Sequence, residues 1–185
     1  MPRLFCLIFL LRFGLAAQTA PGVVDLEGRH IDPLRNQAAK AVVLIFTRTD
    51  CPISNRYAPE IRRLYELFSP KAVTFWLVYP DAKESADAIR RHVEEFGYRS
   101  AVLRDPQHAL VKTAKAKMTP EAAVFVSGKG LVYHGRIDDR YVDFGKMRPA
   151  PTTHDLERVL ELVLENKPAP VGVTRAVGCF ISDLQ

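Results

Sequence analysis

One stretch constrains the fold more than any other: Thr49-Asp50-Cys51-Pro52-Ile53-Ser54-Asn55-Arg56-Tyr57-Ala58-Pro59-Glu60. A mostly apolar, β-branched run, Ala41-Val42-Val43-Leu44-Ile45-Phe46-Thr47, precedes it, and apolar residues recur after it at helical spacing as Ile61, Leu64, Tyr65 and Phe68. A cysteine therefore stands where a buried strand ends and a helix begins. Pro52 suits the first helical turn, where no backbone N–H is needed. Free N–H groups at a helix start favour a thiolate over a thiol, so the arrangement suits thiol redox chemistry. The bland alternative is a small residue that happens to precede a helix.

The 185 residues suffice for one domain with a core of its own, without disulfide support. Met1-Pro2-Arg3, the eight-residue apolar run Leu4–Leu11 and the small residues Ala16-Ala17 read as a secretory signal peptide over residues 1–17. Arg12 interrupts that pattern, which leaves an uncleaved anchor open, but the apolar run is shorter than the roughly 20 residues of a membrane-spanning helix. The expectation is a periplasmic or secreted protein that contacts a membrane only if the segment stays attached. Removing it lowers the net charge from +5 to +3. The remaining charges are interspersed rather than blocked, which argues against a nucleic-acid partner. Of the three cysteines, Cys51 and Cys179 survive cleavage, an even pair in an oxidising compartment.

Along residues 18–185 the pattern predicts a lead-in strand or hairpin near Val23–Leu26, a strand at 41–47, and a helix at about 52–68 kinked by Pro59. A strand at 72–79 follows, then a helix with Asp81 and Glu84 as a capping box and a stop at Gly97. A short strand at 101–103, a weak helix through Leu110 and Val111, and a hairpin of 122–126 with 131–137 come next. The last helix, capped by Thr152 with Asp155, presents Leu156, Val159, Leu160, Val163 and Leu164, and a Pro- and Gly-rich tail carries Cys179. Alternating strands and helices imply an α/β fold: a central mixed sheet, parallel except for a hairpin at one edge, flanked by helices.

Strand, cysteine and helix, followed much later by Thr119-Pro120 opening a hairpin, resemble the thioredoxin superfamily. Within it the chain is most similar to redoxin domains of the AhpC/TSA type, the peroxiredoxin-like branch. The likeness spans residues 22–181 through Cys51–Pro59, Thr119-Pro120-Glu121, Gly135–Arg140 and Gly178-Cys179. It implies a cis peptide bond before Pro120, packed opposite Cys51. It also implies thiol chemistry on a peroxide or a protein disulfide, with an external thiol as reductant and no cofactor. Three departures qualify it. Ser54 stands where a thioredoxin has its second cysteine, so a local dithiol is ruled out. Leu44 and Arg48 stand where a peroxiredoxin has proline and threonine, which leaves Thr47 or Thr49 as substitutes for the missing hydroxyl.

Cys51 is the expected nucleophile; Arg48 and Arg56 would lower its pKa and Asp50 would oppose them. Cys179 has three readings: a resolving thiol, a permanent staple, or a thiol that pairs with another molecule. Gly178 beside it would let the backbone approach another segment, which favours the first two. Arg136 would either approach the site or pair on the surface with Asp138 or Asp139. Those two aspartates, on opposite faces of an extended chain, are expected to share no proton, and Arg140 is their expected salt-bridge partner. Glu60 and Glu121 are possible proton acceptors, whereas Tyr57, Phe75, Trp76 and Phe96 read as packing. A different class of function is copper binding or metal delivery by Cys51 and Cys179 with one of His92, His108, His134 or His154. The scattered histidines, expected mostly in solvent, argue against it, so no metal site is assigned. A third class is a non-catalytic interaction domain.

Overall fold

The computed structural model describes residues 22–36, 38–169 and 172–181. The expected signal peptide, residues 1–17, lies outside them. A five-stranded sheet in the order β3-β2-β1-β5-β6 is the frame. Its parallel half is β1 (Ala41–Phe46), β2 (Val73–Tyr79) and β3 (Ala101–Arg104); the antiparallel half is β5 (Glu121–Val126) and β6 (Gly130–Gly135). The expected mixed sheet with a hairpin at one edge is what forms.

β1 sits at the centre, and all six of its residues are buried. Ala41, Val43 and Ile45 face one core layer, formed by Ile53 and Tyr57, by Ile61, Leu64 and Phe68, and by Leu156, Val159 and Leu160. Val42, Leu44 and Phe46 face the other, against Leu110, Val111 and Ala114 of α4 (Ala109–Ala114). The unbroken apolar run is thus explained: a strand covered on both faces has no solvent side to leave polar.

After β1 the chain forms α1 (Pro52–Arg56) and α2 (Ala58–Phe68). The expected single helix is divided at Tyr57, and Pro59 serves the first turn of the second helix, where its missing N–H costs nothing. α3 (Ala86–Glu95) starts at Ser85, whose side chain accepts from the Ala88 N–H, so the expected Asp81/Glu84 box does not form. Asp81 instead accepts from the Lys83 N–H, and Glu84 is turned into the protein. Gly97 ends the helix with φ +63°, as expected. α5 (Asp155–Leu164) has His154 before it and no side-chain cap, because Thr152 is bound by Asp139.

Two further strand pairs lie outside the main sheet. β7 (Tyr141–Asp143) pairs with β8 (Lys146–Met147), and β4 (Met118–Thr119) pairs antiparallel with β9 (Cys179–Phe180) in the tail. Among the described residues no helix is long and apolar enough to cross a membrane.

Candidate active site

Cys51 is fully buried at the junction of the β1 loop and α1, in extended conformation with φ −88° and ψ 108°. Its loop is fixed from beneath by a polar chain. The Thr49 N–H donates to Glu84 Oε1 at 2.6 Å, and Asn55 Nδ2 donates to the Thr49 carbonyl at 3.1 Å. Asn55 Oδ1 accepts from His92 Nε2 at 2.9 Å, which leaves His92 Nδ1 to accept from the Tyr79 hydroxyl at 2.8 Å. Burial lowers the pKa of His92 and keeps it neutral, as this pattern of one donor and one acceptor requires. His92 and His108 are buried, against the expectation of solvated histidines; His108 bonds the Pro80 carbonyl at 3.1 Å. Helical spacing alone could have placed His92 on the inner face of α3, three residues after Ile89.

Opposite Cys51 lies the Thr119–Pro120 bond, which is cis, as the resemblance implied. Glu121, buried just after it, accepts from the N–H groups of Lys117 and Met118 at 2.8 and 3.0 Å and lies 3.2 Å from His134 Nδ1. It braces the proline turn. Glu60, the other possible proton acceptor, is bound by Arg63 at 2.7 Å on the outer face of α2.

The tail crosses this turn as β9, with Thr119 opposite Cys179 and Met118 opposite Phe180. Gly178 permits the crossing, since a Cβ there would lie 2.1 Å from the Thr119 carbonyl oxygen. Cys179 Sγ consequently sits 2.6 Å from Cys51 Sγ. That is well inside ordinary non-bonded contact and beyond the about 2.05 Å of a formed disulfide. Both cysteines carry free thiols here.

The two thiols differ in acidity. Burial pushes Cys51 up, but the influence of Cys179, of the hydroxyl and N–H of Ser54 and of Thr119 outweighs it, and its pKa falls below the ordinary value. The Thr119 carbonyl, 3.1 Å from the same sulfur, is an acceptor and opposes that shift. Ser54 Oγ is buried without a formed hydrogen bond, so its influence on the sulfur is that of a nearby hydroxyl dipole. Cys179 is pushed up to about 12 by burial, by its hydrogen bond to Cys51 and by the Cys51 charge. Of the two thiols, Cys51 is therefore the one that gives up its proton first. Arg48 and Asp50 act on Cys179 in opposite directions, and they bind each other at 2.9 Å. Among the described residues Arg56 reaches Met147 Sδ, at 4.0 Å, rather than Cys51. The charged neighbours invoked from sequence thus matter less at Cys51 than the hydrogen bonds to its sulfur.

Arg136 is held elsewhere. Its Nε donates to Asp155 Oδ2 at 2.7 Å, and its Nη2 reaches Thr153, so neither expected aspartate is its partner. Asp138 accepts from the Tyr57 hydroxyl at 2.5 Å, and Asp139 pairs with Arg148 at 3.2 Å while capping Thr152 and Thr153. The expected bridge to Arg140 is replaced by these contacts; Arg140 contributes only its N–H, to Asp138. Neither the Thr47 nor the Thr49 hydroxyl is bonded to Cys51, and Thr47 Oγ1 is buried without a partner. Among the described residues, the one trio of His, Cys, Asp or Glu side chains close enough to share an ion is Glu60, His154 and Glu157. Arg63 already binds both glutamates of that trio.

The fold is shared with solved structures. An uncharacterized conserved protein of Geobacillus kaustophilus aligns over 89% of this chain and 89% of its own, at 24% identity and TM-score 0.72. A hypothetical protein of Sinorhizobium meliloti 1021 aligns over 85% and 87%, at 21% and 0.73. A secreted Mycobacterium tuberculosis disulfide oxidoreductase homologous to E. coli DsbE aligns over 78% and 93%, at 18% and 0.52. A comparison with curated proteins gave no match. The AhpC/TSA family model matches residues 17–134, through Cys51 and the cis proline into β6; the expected lead-in strand near Val23–Leu26 is reduced to isolated bridges from Val24 to His30 and Arg104. With that match and a thioredoxin-like fold around a buried cysteine, the chain belongs to the AhpC/TSA family.

Proposed function

We propose that this protein is an exported thiol-dependent oxidoreductase in which Cys51 is the nucleophile and Cys179 the resolving thiol. The observation that carries the reading is the 2.6 Å approach of the two sulfurs, achieved by a tail strand laid across the cis-proline turn. In the peroxide form of the cycle, the Cys51 thiolate attacks the peroxide O–O bond. The sulfur becomes a sulfenic acid and the leaving oxygen departs as alkoxide or hydroxide. Cys179 then attacks that sulfur, water leaves, and a Cys51–Cys179 disulfide forms, which an external thiol reduces. With a partner disulfide as oxidant, the first product is a mixed disulfide and Cys179 displaces the partner thiol.

The acidities support this order of events. Cys51 is the better thiolate, while two of the four causes that hold Cys179 protonated, its hydrogen bond to Cys51 and the Cys51 charge, depend on that thiolate. Oxidation of Cys51 removes both and frees Cys179 to lose its proton. Thr119 and Pro120 position the pair, and Arg136 fastens the end of β6 to α5 through Asp155. Export rests on the N-terminal segment and on the suitability of an oxidising compartment for a cysteine pair. The copper-binding alternative is weakened, because His92, His108 and His134 are each bonded to other groups.

Peptide mapping after alkylation tests the cycle. The Cys51–Cys179 link should appear on peroxide treatment and vanish with mild reductant, and Cys51→Ser should lose both peroxide consumption and disulfide exchange. An unaffected Cys51→Ser variant ends the proposal. A link that is always present and resists mild reductant makes Cys179 a staple.

A further inference from the structure

Thr49, two residues before Cys51, is gripped through both of its backbone polar groups. Its carbonyl is held by Asn55 of α1, and its N–H by the Glu84 carboxylate at 2.6 Å. Asn55 leads on to a neutral His92, so the Glu84 contact is the one that carries charge. Glu84 comes from the loop between β2 and α3 and is buried, and its Oε2 has no hydrogen-bond partner among the described residues. The charged and titratable groups around it are committed elsewhere. Arg48 Nη2 binds Asp50 at 2.9 Å and Asp81 at 3.2 Å, and Arg104 Nη2, at the end of β3, donates at 3.0 Å to the backbone carbonyl of Glu84. Tyr79, at the end of β2, bonds His92, and His108, before α4, bonds the Pro80 carbonyl. Of the three acids in this corner, Glu84 is the one that no cation pairs among the described residues.

We infer that Glu84 is a positioning residue for Cys51: its negative charge holds the Thr49 N–H, and with it the loop that presents the sulfur, and proton uptake on Oε2 in mild acid slackens that hold and slows Cys51. A hydrogen bond to an ionised acceptor is roughly twice as strong as one to a neutral acceptor, so the same contact persists after protonation in a weaker form. A carboxylate taken out of water with one oxygen unbonded and no paired cation keeps its charge at a cost, which a proton relieves. Burial accordingly raises Glu84 above the ordinary carboxylate range, the charges of Asp81 and Asp50 add to the rise, and the Thr49 bond offsets only part of it. Glu84 acts on the sulfur through Thr49 and the intervening backbone, and it takes no part in the chemistry.

The inference rests on the proposed role of Cys51, and its test separates the two. The rate at which peroxide forms the Cys51–Cys179 link is measured in the reduced full chain, wild type and Glu84→Gln, from about pH 8 down to about pH 5. Absence of the link in wild type at every pH overturns both readings. Where the link forms, the side-chain carbonyl of Glu84→Gln still accepts from Thr49 but without charge. The variant should therefore be slower than wild type by about threefold or more at the alkaline end, and the two rates should converge as the pH falls. The thiolate content of Cys51 enters both rates, so their ratio isolates Glu84. A ratio that does not change with pH makes Glu84 a structural contact only and overturns the inference. Should Glu84→Gln fail to fold, the Thr49 amide proton resonance of wild type decides. It must shift upfield in acid with a midpoint above the ordinary carboxylate value of about 4.3, and a midpoint at or below that value overturns the inference.

Discussion

Cys51 hangs from a strand whose six residues are all buried, with core on both faces, and its loop is tied down by Glu84, Asn55 and His92. Cys179 belongs to a two-residue strand in the tail. Outside its short ladder with β4, that strand is held by the Ile181 N–H on the Lys117 carbonyl at 3.0 Å and by a long bond, 3.4 Å, from Thr119 Oγ1. The next residue, Phe180, is 77% exposed. One sulfur is thus placed by the whole core, the other by a few backbone contacts, a glycine and the flanking side chains Val177 and Ile181. The difference teaches where redox state can act: on the attachment of the tail, far more than on the sheet.

The largest effect that would break this contrast is on stability. Bonding Cys51 to Cys179 closes a loop of 128 residues. On the chain-entropy account that closure stabilises the oxidised protein by about 3–5 kcal/mol over the reduced one. Denaturant melts of wild type with and without reductant, beside Cys179→Ala, measure it; equal midpoints would mean that the tail is held without the bond. A smaller effect is expected at Gly178. The Cβ of Gly178→Ala would meet the Thr119 carbonyl at 2.1 Å. The variant should lose about 1–3 kcal/mol when oxidised and much less when reduced, because a free tail can move off the turn. Equal losses in both states would place β9 in the fixed core.

The smallest effect is on titration. Ser54→Ala removes a hydroxyl that lowers Cys51, so its thiolate absorbance in the reduced protein should appear at higher pH than in wild type. The linked stability follows by sign. Cys51, lowered by folding, contributes stability that is present above the unfolded thiol value near 8.5 and lost as pH falls through its folded value. Cys179, raised by folding, contributes stability present below about 8.5 and lost as pH climbs toward about 12. Reduced wild type should therefore weaken in alkali relative to reduced Cys179→Ala.

The sheet was legible because its signals are local. The run from Ala41 to Thr47, the Gly97 stop and the Ser127–Gly130 turn each specify an element without help from distant residues. The Gly178 close approach was also readable, as glycine next to a cysteine in a tail. The polar contacts were harder. Asp81 with Glu84 has the spacing of a cap, yet Glu84 is taken by the Thr49 N–H across 35 residues of chain. Thr152 likewise caps nothing, since Asp139 binds it, and Arg136 finds Asp155 rather than its nearer acidic neighbours. Short-range spacing cannot rank such partners, because the winner is set by which loop the fold brings close. The acidity of Cys51 was misattributed for the same reason. Nearby arginines are visible in sequence, whereas hydrogen bonding from Cys179, 128 residues away, is not.

The 128-residue separation of the two sulfurs has a mechanical meaning once they are bonded. Everything between Cys51 and Cys179 becomes a covalent ring, and tension applied to the two ends of the chain passes through the sulfur bridge instead of around that ring. About 420–460 Å of extensible chain is then hidden from the load. What remains exposed to it is the segment ahead of the ring, and that segment includes β1, the strand at the centre of the sheet. Bridged, the protein would yield under force by shedding its middle strand while its outer ones stay enclosed, the reverse of peeling from an edge.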